Sequence, residues 1–218
     1  SVGDVSIRTT GKLATLGLRD SDLTFKVKAA DAARLASVFK VSGVPSAALA
    51  LDGRVVTTRK GYRLDRVNAT LGGYEAHVDG TLPAQRGGDT KLRFDLAAPS
   101  LADIKASFPP QPLKIGGDIA YRGAKKGKAG SLDWLLATRD VQLDLTGSLG
   151  NTQFSAKGGI GRLEPLEGAD LAVSVAGQDV ATALQNLRLP AIAAGKFDIR
   201  ATLRGARKLS DLDLTARL

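Results

Sequence analysis

Three strand-like segments of this chain repeat one pattern at nearly regular steps. They are Leu23–Ala29, Leu92–Ala98 and Leu171–Gly177, separated by 69 and 79 residues. In each segment apolar residues stand at alternate positions, as in a β-strand with one apolar face. A repeat of this size cannot bury such a face alone, whereas stacked neighbours bury it together. The repeat therefore predicts an elongated array of strands rather than a globule built around one catalytic pocket.

A second landmark follows the same order along the chain. The dipeptide Leu-Gly occurs at 71–72 and again at 149–150, and in each case a further glycine, Gly80 or Gly158, follows eight residues later. Several landmarks recurring in one order favour true repeats. The alternative interpretation is one complete domain with coincidental similarity.

The two ends of the chain resemble parts of further repeats. Residues 212–218 match residues 143–149, so the chain stops where the next Leu-Gly would follow, and Val5–Arg8 resembles Phe154–Lys157. We therefore expect one continuous elongated domain that is a fragment of a longer protein. Its expected parts are the end of a preceding unit at 1–22, repeat unit 1 at 23–91, repeat unit 2 at 92–170 and a truncated repeat unit 3 at 171–218.

Each repeat unit reads as strand, helix, strand, strand, strand, which gives about twelve strands in the whole chain. The helices are expected after Asp31, Ser100 and Asp179, because these side chains accept hydrogen bonds from the free N–H groups of a first helical turn. Prolines follow each helical segment and end it. The pattern predicts a mainly β chain with short α-helices.

The alternation within the strands assigns a set of apolar residues to one common face. Residues at positions i, i+2 and i+4 of a strand project to the same side of a sheet. The residues expected on this face are Phe25, Val27, Leu49, Leu51, Leu71, Val78, Phe94, Leu96, Ile119, Tyr121, Leu143, Leu145, Val173, Val175, Phe197, Ile199, Leu212 and Leu214.

The charge of the chain favours anionic partners. The formal net charge is +9, and three basic clusters fall at the same point of each repeat. Equivalent turns of a repeat project from one edge, so they predict a positive rim for anionic headgroups on a membrane surface. Solvated turns without a partner are the alternative. Aromatic residues make up only 5% of the chain, which argues against single-stranded nucleic acid because such binders stack bases on aromatic side chains. The expected rim residues are Arg59, Lys60, Lys125, Lys126, Arg207 and Lys208.

The residues that usually carry catalysis or hold metals are scarce. The chain has no cysteine and one histidine, His77, so it offers no triad and no clustered ligands for zinc or iron. Residues 158–161 are rich in glycine but lack the Lys-Ser/Thr that follows a phosphate-binding loop, so they read as turn glycines. We expect no enzyme activity, no catalytic residue, no metal and no cofactor.

The chain resembles the AsmA-like family of Gram-negative envelope proteins, the AsmA, TamB and YhdP type. The stretches that carry the resemblance are 64–80, 92–104 and 143–150, in the order apolar strand, helix, proline, strand, basic turn and Leu-Gly. The resemblance implies antiparallel strands curled into an apolar groove, as in bridge-like lipid transfer proteins of the β-taco type. It implies no catalytic residues.

The resemblance also implies a location and a role. Members of the family lie in the periplasm, anchored in the inner membrane by an N-terminal helix, and conduct phospholipid toward the outer membrane. We therefore expect the apolar face to bind acyl chains. The alternative is a structural module that scaffolds outer-membrane protein assembly together with assembly proteins. The two differ in whether the apolar face is left open or is closed by the helices.

Overall fold

The computed structural model describes residues 5–14, 20–38, 44–85, 87–103, 110–123, 138–162, 167–181, 195–205 and 212–217. The chain divides into two compact subdomains. The first comprises residues 1–85 and 92–96, and the second comprises residues 86–91 and 97–218.

The first subdomain consists of antiparallel strands with one helix. Each strand pairs with the next in the chain, so the spatial order of β1 to β5 is the order of the sequence. The sixth strand, β6, spans Asp89–Ala98, and only its middle belongs to this subdomain. The other elements are β1 (Val5–Lys12), β2 (Asp22–Ala29), α1 (Ala32–Val38), β3 (Leu49–Thr58), β4 (Gly61–Leu71) and β5 (Tyr74–Pro83).

The second subdomain repeats this arrangement. The pairings described for β7 to β12 are again antiparallel and between strands that follow each other in the chain. The described residues thus form twelve strands, and the prediction of a mainly β, antiparallel chain is confirmed. The strands are β7 (Leu113–Arg122), β8 (Arg139–Leu149), β9 (Thr152–Arg162), β10 (Glu167–Gly177), β11 (Phe197–Arg204) and β12 (Leu212–Arg217).

The helical segments follow the strands where the sequence places them. The Asp31 carboxylate accepts hydrogen bonds from the N–H groups of Ala33 and Arg34, at 2.9 and 3.4 Å, and so caps α1. Asp179 accepts from Ala181 N–H at 3.0 Å in the same way, although most of that third helical segment lies outside the described residues. After Ser100 the described residues form a 3₁₀ turn, Leu101–Asp103, rather than an α-helix.

The repeat is visible in the backbone contacts. The N–H groups of Ala32, Leu101 and Val180, which stand 69 and 79 residues apart, each donate to a carbonyl of the returning chain. The residues at 21, 90 and 169 keep the same steps, and all three are buried, with exposed fractions of 0%, 3% and 3%. The steps read from the sequence therefore recur as equivalent positions in the fold.

The Leu-Gly landmarks form equivalent hairpins. Gly72 joins β4 to β5 and Gly150 joins β8 to β9, with φ angles of 59° and 55°. A two-residue hairpin of type II′ requires such a positive φ at its first central residue, and glycine adopts it without a steric penalty.

The expectation that residues 158–161 form a turn is wrong. These residues lie inside β9. Gly158 has a φ of 137°, and a Cβ atom there would lie 1.9 Å from the carbonyl oxygen of Asp170 on β10. Glycine is therefore needed because the neighbouring backbone comes too close for a side chain.

Candidate functional site

Antiparallel pairing identifies one apolar face on the first subdomain. Residues directly opposite each other in an antiparallel pair project to the same face. Val27 lies opposite both Ile7 and Leu51, and Leu71 lies opposite both Leu49 and Tyr74. The six residues expected from the sequence on β2 to β5 share this face: Phe25, Val27, Leu49, Leu51, Leu71 and Val78.

The second subdomain has an equivalent apolar face. Leu143 lies opposite Ile119 on β7 and Gly158 on β9. Val173 lies opposite Ala156 and Ala201 on the strands beside it. The expected residues that the register places on this face are Ile119, Leu143, Leu145, Val173, Val175, Phe197, Ile199, Leu212 and Leu214.

The remaining expected residues are less closely tied to these faces. Tyr121 lies opposite a bulge, where the pairing shifts between Ala120 and Arg122. Phe94 and Leu96 share one face of β6, since they are two residues apart in the strand. We assign none of the three to a face by cross-strand pairing.

Most side chains on the apolar faces are only half-buried. Among the expected residues whose side chains are described, only Phe197 is buried, with an exposed fraction of 6%. Leu96 and Val173 are exposed, at 41% and 37%. Side chains enclosed between two packed layers would be nearly inaccessible to water. The faces are thus apolar on one strand after another, yet water can reach most of their side chains.

The sequence interpretation missed two exposed members of the face in the first subdomain. Ile7 on β1 is 62% exposed and lies opposite Val27. Tyr62 on β4 is 44% exposed and lies opposite Leu82. Ile7 could have been identified from the sequence, because Val5 and Ile7 are apolar residues two positions apart in one strand. Tyr62 could not be identified, because a bulge between it and Leu71 changes which face alternate residues of β4 project to.

Aromatic rings fill the space above two glycines of the second subdomain. A Cβ atom on Gly147 would lie 2.4 Å from the ring of Phe154, and one on Gly177 would lie 2.5 Å from the ring of Phe197. Each ring belongs to the residue directly opposite its glycine. Each ring therefore lies over the glycine of the neighbouring strand instead of projecting away from the sheet, so these phenylalanines protrude little from the face.

Equivalent bulges interrupt the pairing in both subdomains. Gly53 lies opposite the two residues 66–67, and Tyr121 lies opposite 140–141. The first residue of each doubled pair, Arg66 or Asp140, has a positive φ, 50° or 52°. A bulge bends the strand and increases its twist locally. The bulges therefore bend the strands of the two subdomains at equivalent points.

The opposite face of each subdomain is polar and carries ion pairs between neighbouring strands. In the first subdomain Arg54 donates to both oxygens of Asp22, at 2.7 and 2.5 Å, and reaches Asp65 at 3.4 Å. The hydrogen bond from Arg54 holds the pKa of Asp22 below its ordinary value, and the same bond raises the pKa of Arg54. The guanidinium thereby ties three strands together on the polar face.

The single histidine belongs to this polar face. His77 Nδ1 lies 2.7 Å from Asn68 Oδ1, and His77 Nε2 lies 2.5 Å from the carboxylate of Asp79. Asp79 also accepts the backbone N–H of Arg66 at 2.6 Å, and this bond lowers the pKa of Asp79. Arg66 is a bulge residue, so the cluster holds the bulge in place. This is a structural role for His77.

The polar face of the second subdomain follows the same principle. Lys157 donates to Asp144 at 2.6 Å, an interaction that raises the pKa of Lys157. The hydroxyl groups of Ser155 and Ser174 are 2.8 Å apart across the strands. Exposed ion pairs of this kind contribute little individually. Together they make this face suited to water and unsuited to an apolar ligand.

The expected basic rim is described in part. Arg59 and Lys60 are exposed on the turn between β3 and β4. Arg122 and Arg204 end β7 and β11, and hydrogen bonding to Asp89 raises the pKa of Arg122. The other four expected rim residues, Lys125, Lys126, Arg207 and Lys208, lie outside the described residues.

The described part of the chain offers little else that could act as a site. A shallow depression of about 290 Å³ on the second subdomain is bordered by Asp140, Gln142 and Asp170 together with glycines. Two of these carboxylates already lie within 4 Å of arginines, Arg122 and Arg204. Among the described residues no group of three or more His, Cys, Asp or Glu side chains is placed to hold a metal ion. None of the described helices is long and apolar enough to cross a membrane.

Comparison with known proteins finds no matching family model, no matching curated protein and no matching solved structure. The apolar faces are therefore interpreted from their own geometry.

Proposed function

We propose that this chain is a lipid-binding segment of an AsmA-like envelope protein, in which the apolar face of each subdomain holds the acyl chains of phospholipid. The observation that supports this most strongly is the half-exposure of a face that is apolar on successive paired strands, with Val173 and Ile7 among its exposed members. A lipid tail needs such a surface, because it makes no hydrogen bonds and gains only from contact with apolar groups.

The dimensions of the faces match acyl chains. Five strands about 4.8 Å apart and roughly eight residues long, at about 3.4 Å per residue, give a face of about 24 by 27 Å. That is roughly 650 Å², more than the ~300–600 Å² of the largest apolar patch on a typical monomer. An acyl chain that spans one leaflet is about 15 Å long. The first subdomain alone therefore has room for more than one chain.

The energetics suit a carrier. Removing a methylene group from water contributes about 0.8 kcal/mol, so a chain of ~15 methylenes that is half-covered gains roughly 6 kcal/mol relative to water. A bilayer already provides the same chain with apolar surroundings. Full coverage in a bilayer gains about 12 kcal/mol on the same scale, so a half-covered chain on the protein is readily released to a membrane.

The charge supports contact with a membrane. Arg59 and Lys60 occupy an exposed turn, and Tyr62 follows them with 44% of its surface exposed. Lysine, arginine and tyrosine suit the headgroup level, where an apolar body meets a polar tip. In this proposal the turn contacts anionic headgroups, and the chain acts in the periplasm between the inner and outer membranes, without a catalytic step.

The test is the lipid content of the protein purified gently from Gram-negative cells and analysed by native mass spectrometry. We expect adducts with the masses of phospholipids, and phospholipid in the organic extract. Protein without bound lipid, with an unchanged melting transition, would contradict the proposal and favour the scaffolding alternative, in which another protein covers the apolar face. A purification carried out alongside on an unrelated basic β-protein controls for lipid carried over nonspecifically.

A further inference from the structure

One edge of the first subdomain combines exposed apolar side chains with exposed basic ones. It is formed by the end of β1, the start of β2 and the turn that joins β3 to β4. Leu13, directly after β1, is 64% exposed, and Tyr62, at the start of β4, is 44% exposed. Lys12, Arg59 and Lys60 are exposed on the same edge. These five residues are called the turn edge below.

Buried polar residues hold the parts of the turn edge side by side. Ser21 is fully buried, and Thr57 is 5% exposed. The N–H of Ser21 donates to Thr57 Oγ1 at 3.0 Å, and the N–H of Thr57 donates to the Ser21 carbonyl at 2.8 Å. The N–H of Ala14 donates to Ser21 Oγ at 3.3 Å. Because Ser21 is bonded to the chain on both of its sides, the ends of β1 and β3 are fixed next to each other.

The register places the two apolar members of the turn edge in one row. Lys12 lies opposite Asp22, and Asp22 lies opposite Val56. One residue closer to the edge on each strand, the row consists of Leu13, Ser21, Thr57 and Tyr62. Three strand spacings of about 4.8 Å separate β1 from β4, so the two ends of this row are about 14 Å apart. The row therefore closes the apolar face with a large exposed side chain at each end and small buried ones between.

The positive charge of the turn edge is only partly offset by neighbouring carboxylates. Asp22, in the adjoining row, accepts two hydrogen bonds from Arg54 and is engaged on the polar face. Asp20 precedes Ser21 and is exposed. The three cations of the turn edge outnumber this carboxylate, so the edge attracts an anionic surface.

We propose that the turn edge docks on an anionic lipid bilayer. In this arrangement Leu13 and Tyr62 insert below the headgroups, while Lys12, Arg59 and Lys60 lie against the lipid phosphates. Membrane-surface proteins use this combination, because apolar side chains leave water at the acyl boundary and the neighbouring cations stay at headgroup level. An acidic soluble partner would match the cations alone, whereas a bilayer matches the cations and the apolar side chains together.

The docking itself needs no lipid on the apolar face. The turn edge is formed by the ends of strands, so a further strand paired with β1 would leave it accessible. One consequence rests on the proposed function: since the row of Leu13 and Tyr62 closes the apolar face, docking gives an acyl chain a route from the bilayer to that face without crossing water.

The absence of cysteine from the chain allows a test by single-site labelling. We would attach the polarity-sensitive fluorophore NBD to a Leu13→Cys variant and add vesicles of phosphatidylglycerol and phosphatidylcholine. The matched control is Ile7→Cys, which is on the same strand and the same face and has a similar exposed fraction, 62%, but lies away from the edge.

We expect the fluorescence of the label at position 13 to rise at least about twofold on these vesicles, because the fluorophore leaves water, and the label at position 7 to change little. A labelled Tyr62→Cys variant should respond as Leu13→Cys does. Leu13→Gln should lower vesicle affinity about tenfold, the loss expected when one leucine no longer leaves water. Ile7→Gln should bind vesicles normally. Both replaced side chains are exposed, so both glutamine variants should keep the melting temperature of the unchanged protein.

Equal fluorescence changes at positions 7 and 13, no change at position 13, or full vesicle affinity in Leu13→Gln would overturn the proposal. If phospholipid co-purifies with a protein that does not dock on vesicles, the docking proposal fails while the proposed function stands.

Discussion

Replacing Val173 by Asp distinguishes an open acyl-chain surface from a closed core. Val173 is 37% exposed, and the residues opposite it, Ala156 and Ala201, are small. In the free protein a carboxylate at this position reaches water, so we expect the free energy of unfolding to fall by only about 1 kcal/mol.

Bound lipid changes that balance. An acyl chain lying over the carboxylate removes it from water and offers no hydrogen bond, at a cost of at least about 2 kcal/mol. Since each 1.4 kcal/mol is a factor of ten in affinity, lipid affinity should fall by roughly 30-fold or more. The measurements are thermal melting and titration with a fluorescent single-chain lipid.

A matched control lies one residue away. Ala172 is exposed on the polar face, opposite Lys157 and Thr202. Ala172→Asp should therefore melt and bind lipid as the unchanged protein does. If Val173→Asp binds lipid as well as Ala172→Asp does, the reasoning about the apolar face is refuted. If Val173→Asp unfolds instead, this part of the face is a closed core.

Three further predictions follow from the geometry. Gly158→Ala should lower the free energy of unfolding by about 2 kcal/mol or more in a urea titration, because its methyl group would meet the Asp170 carbonyl. The control is Gly73→Ala, which lies in a turn. An equal loss of stability in the two variants would contradict the argument. The hydrogen bond from Arg54 lowers the pKa of Asp22 in the folded protein below its ordinary value of 3.8. The ion pair therefore stabilises the fold at pH values above 3.8, and this stabilisation is lost as the pH falls through the lower folded pKa. The melting-temperature deficit of Asp22→Asn should accordingly shrink toward pH 2, and a deficit independent of pH would contradict it. Binding to anionic vesicles should weaken between ~0.05 and ~0.5 M salt, and more steeply for the unchanged protein than for Arg59→Glu/Lys60→Glu; salt-independent binding would count against the basic turn.

The strands and the repeat could be predicted from the sequence because both depend on local patterns. Alternation in Leu23–Ala29 identifies β2 and its apolar face, and the steps of 69 and 79 residues recur in the hydrogen bonds of Ala32, Leu101 and Val180. Asp31 was identified as a helix cap because capping needs only a carboxylate just before the first helical turn.

Features that depend on neighbouring strands could not be read from the chain. Gly158 was interpreted as a turn residue, since nothing local distinguishes a turn glycine from one that makes room for a carbonyl of another strand. The bulge at Arg66 breaks the alternation along β4, so Tyr62 could not be assigned to the apolar face from the sequence.

The most direct measurement of the central claim is where a bound acyl chain touches the protein. A phospholipid with a diazirine in its acyl chain would be loaded onto the purified protein, activated by light and located by peptide mass spectrometry. We predict crosslinks at residues of the apolar faces, such as Val27 and Val173, and few at their polar-face neighbours Lys28 and Ala172. Crosslinks spread equally over both faces, or concentrated on the polar face, would contradict the account.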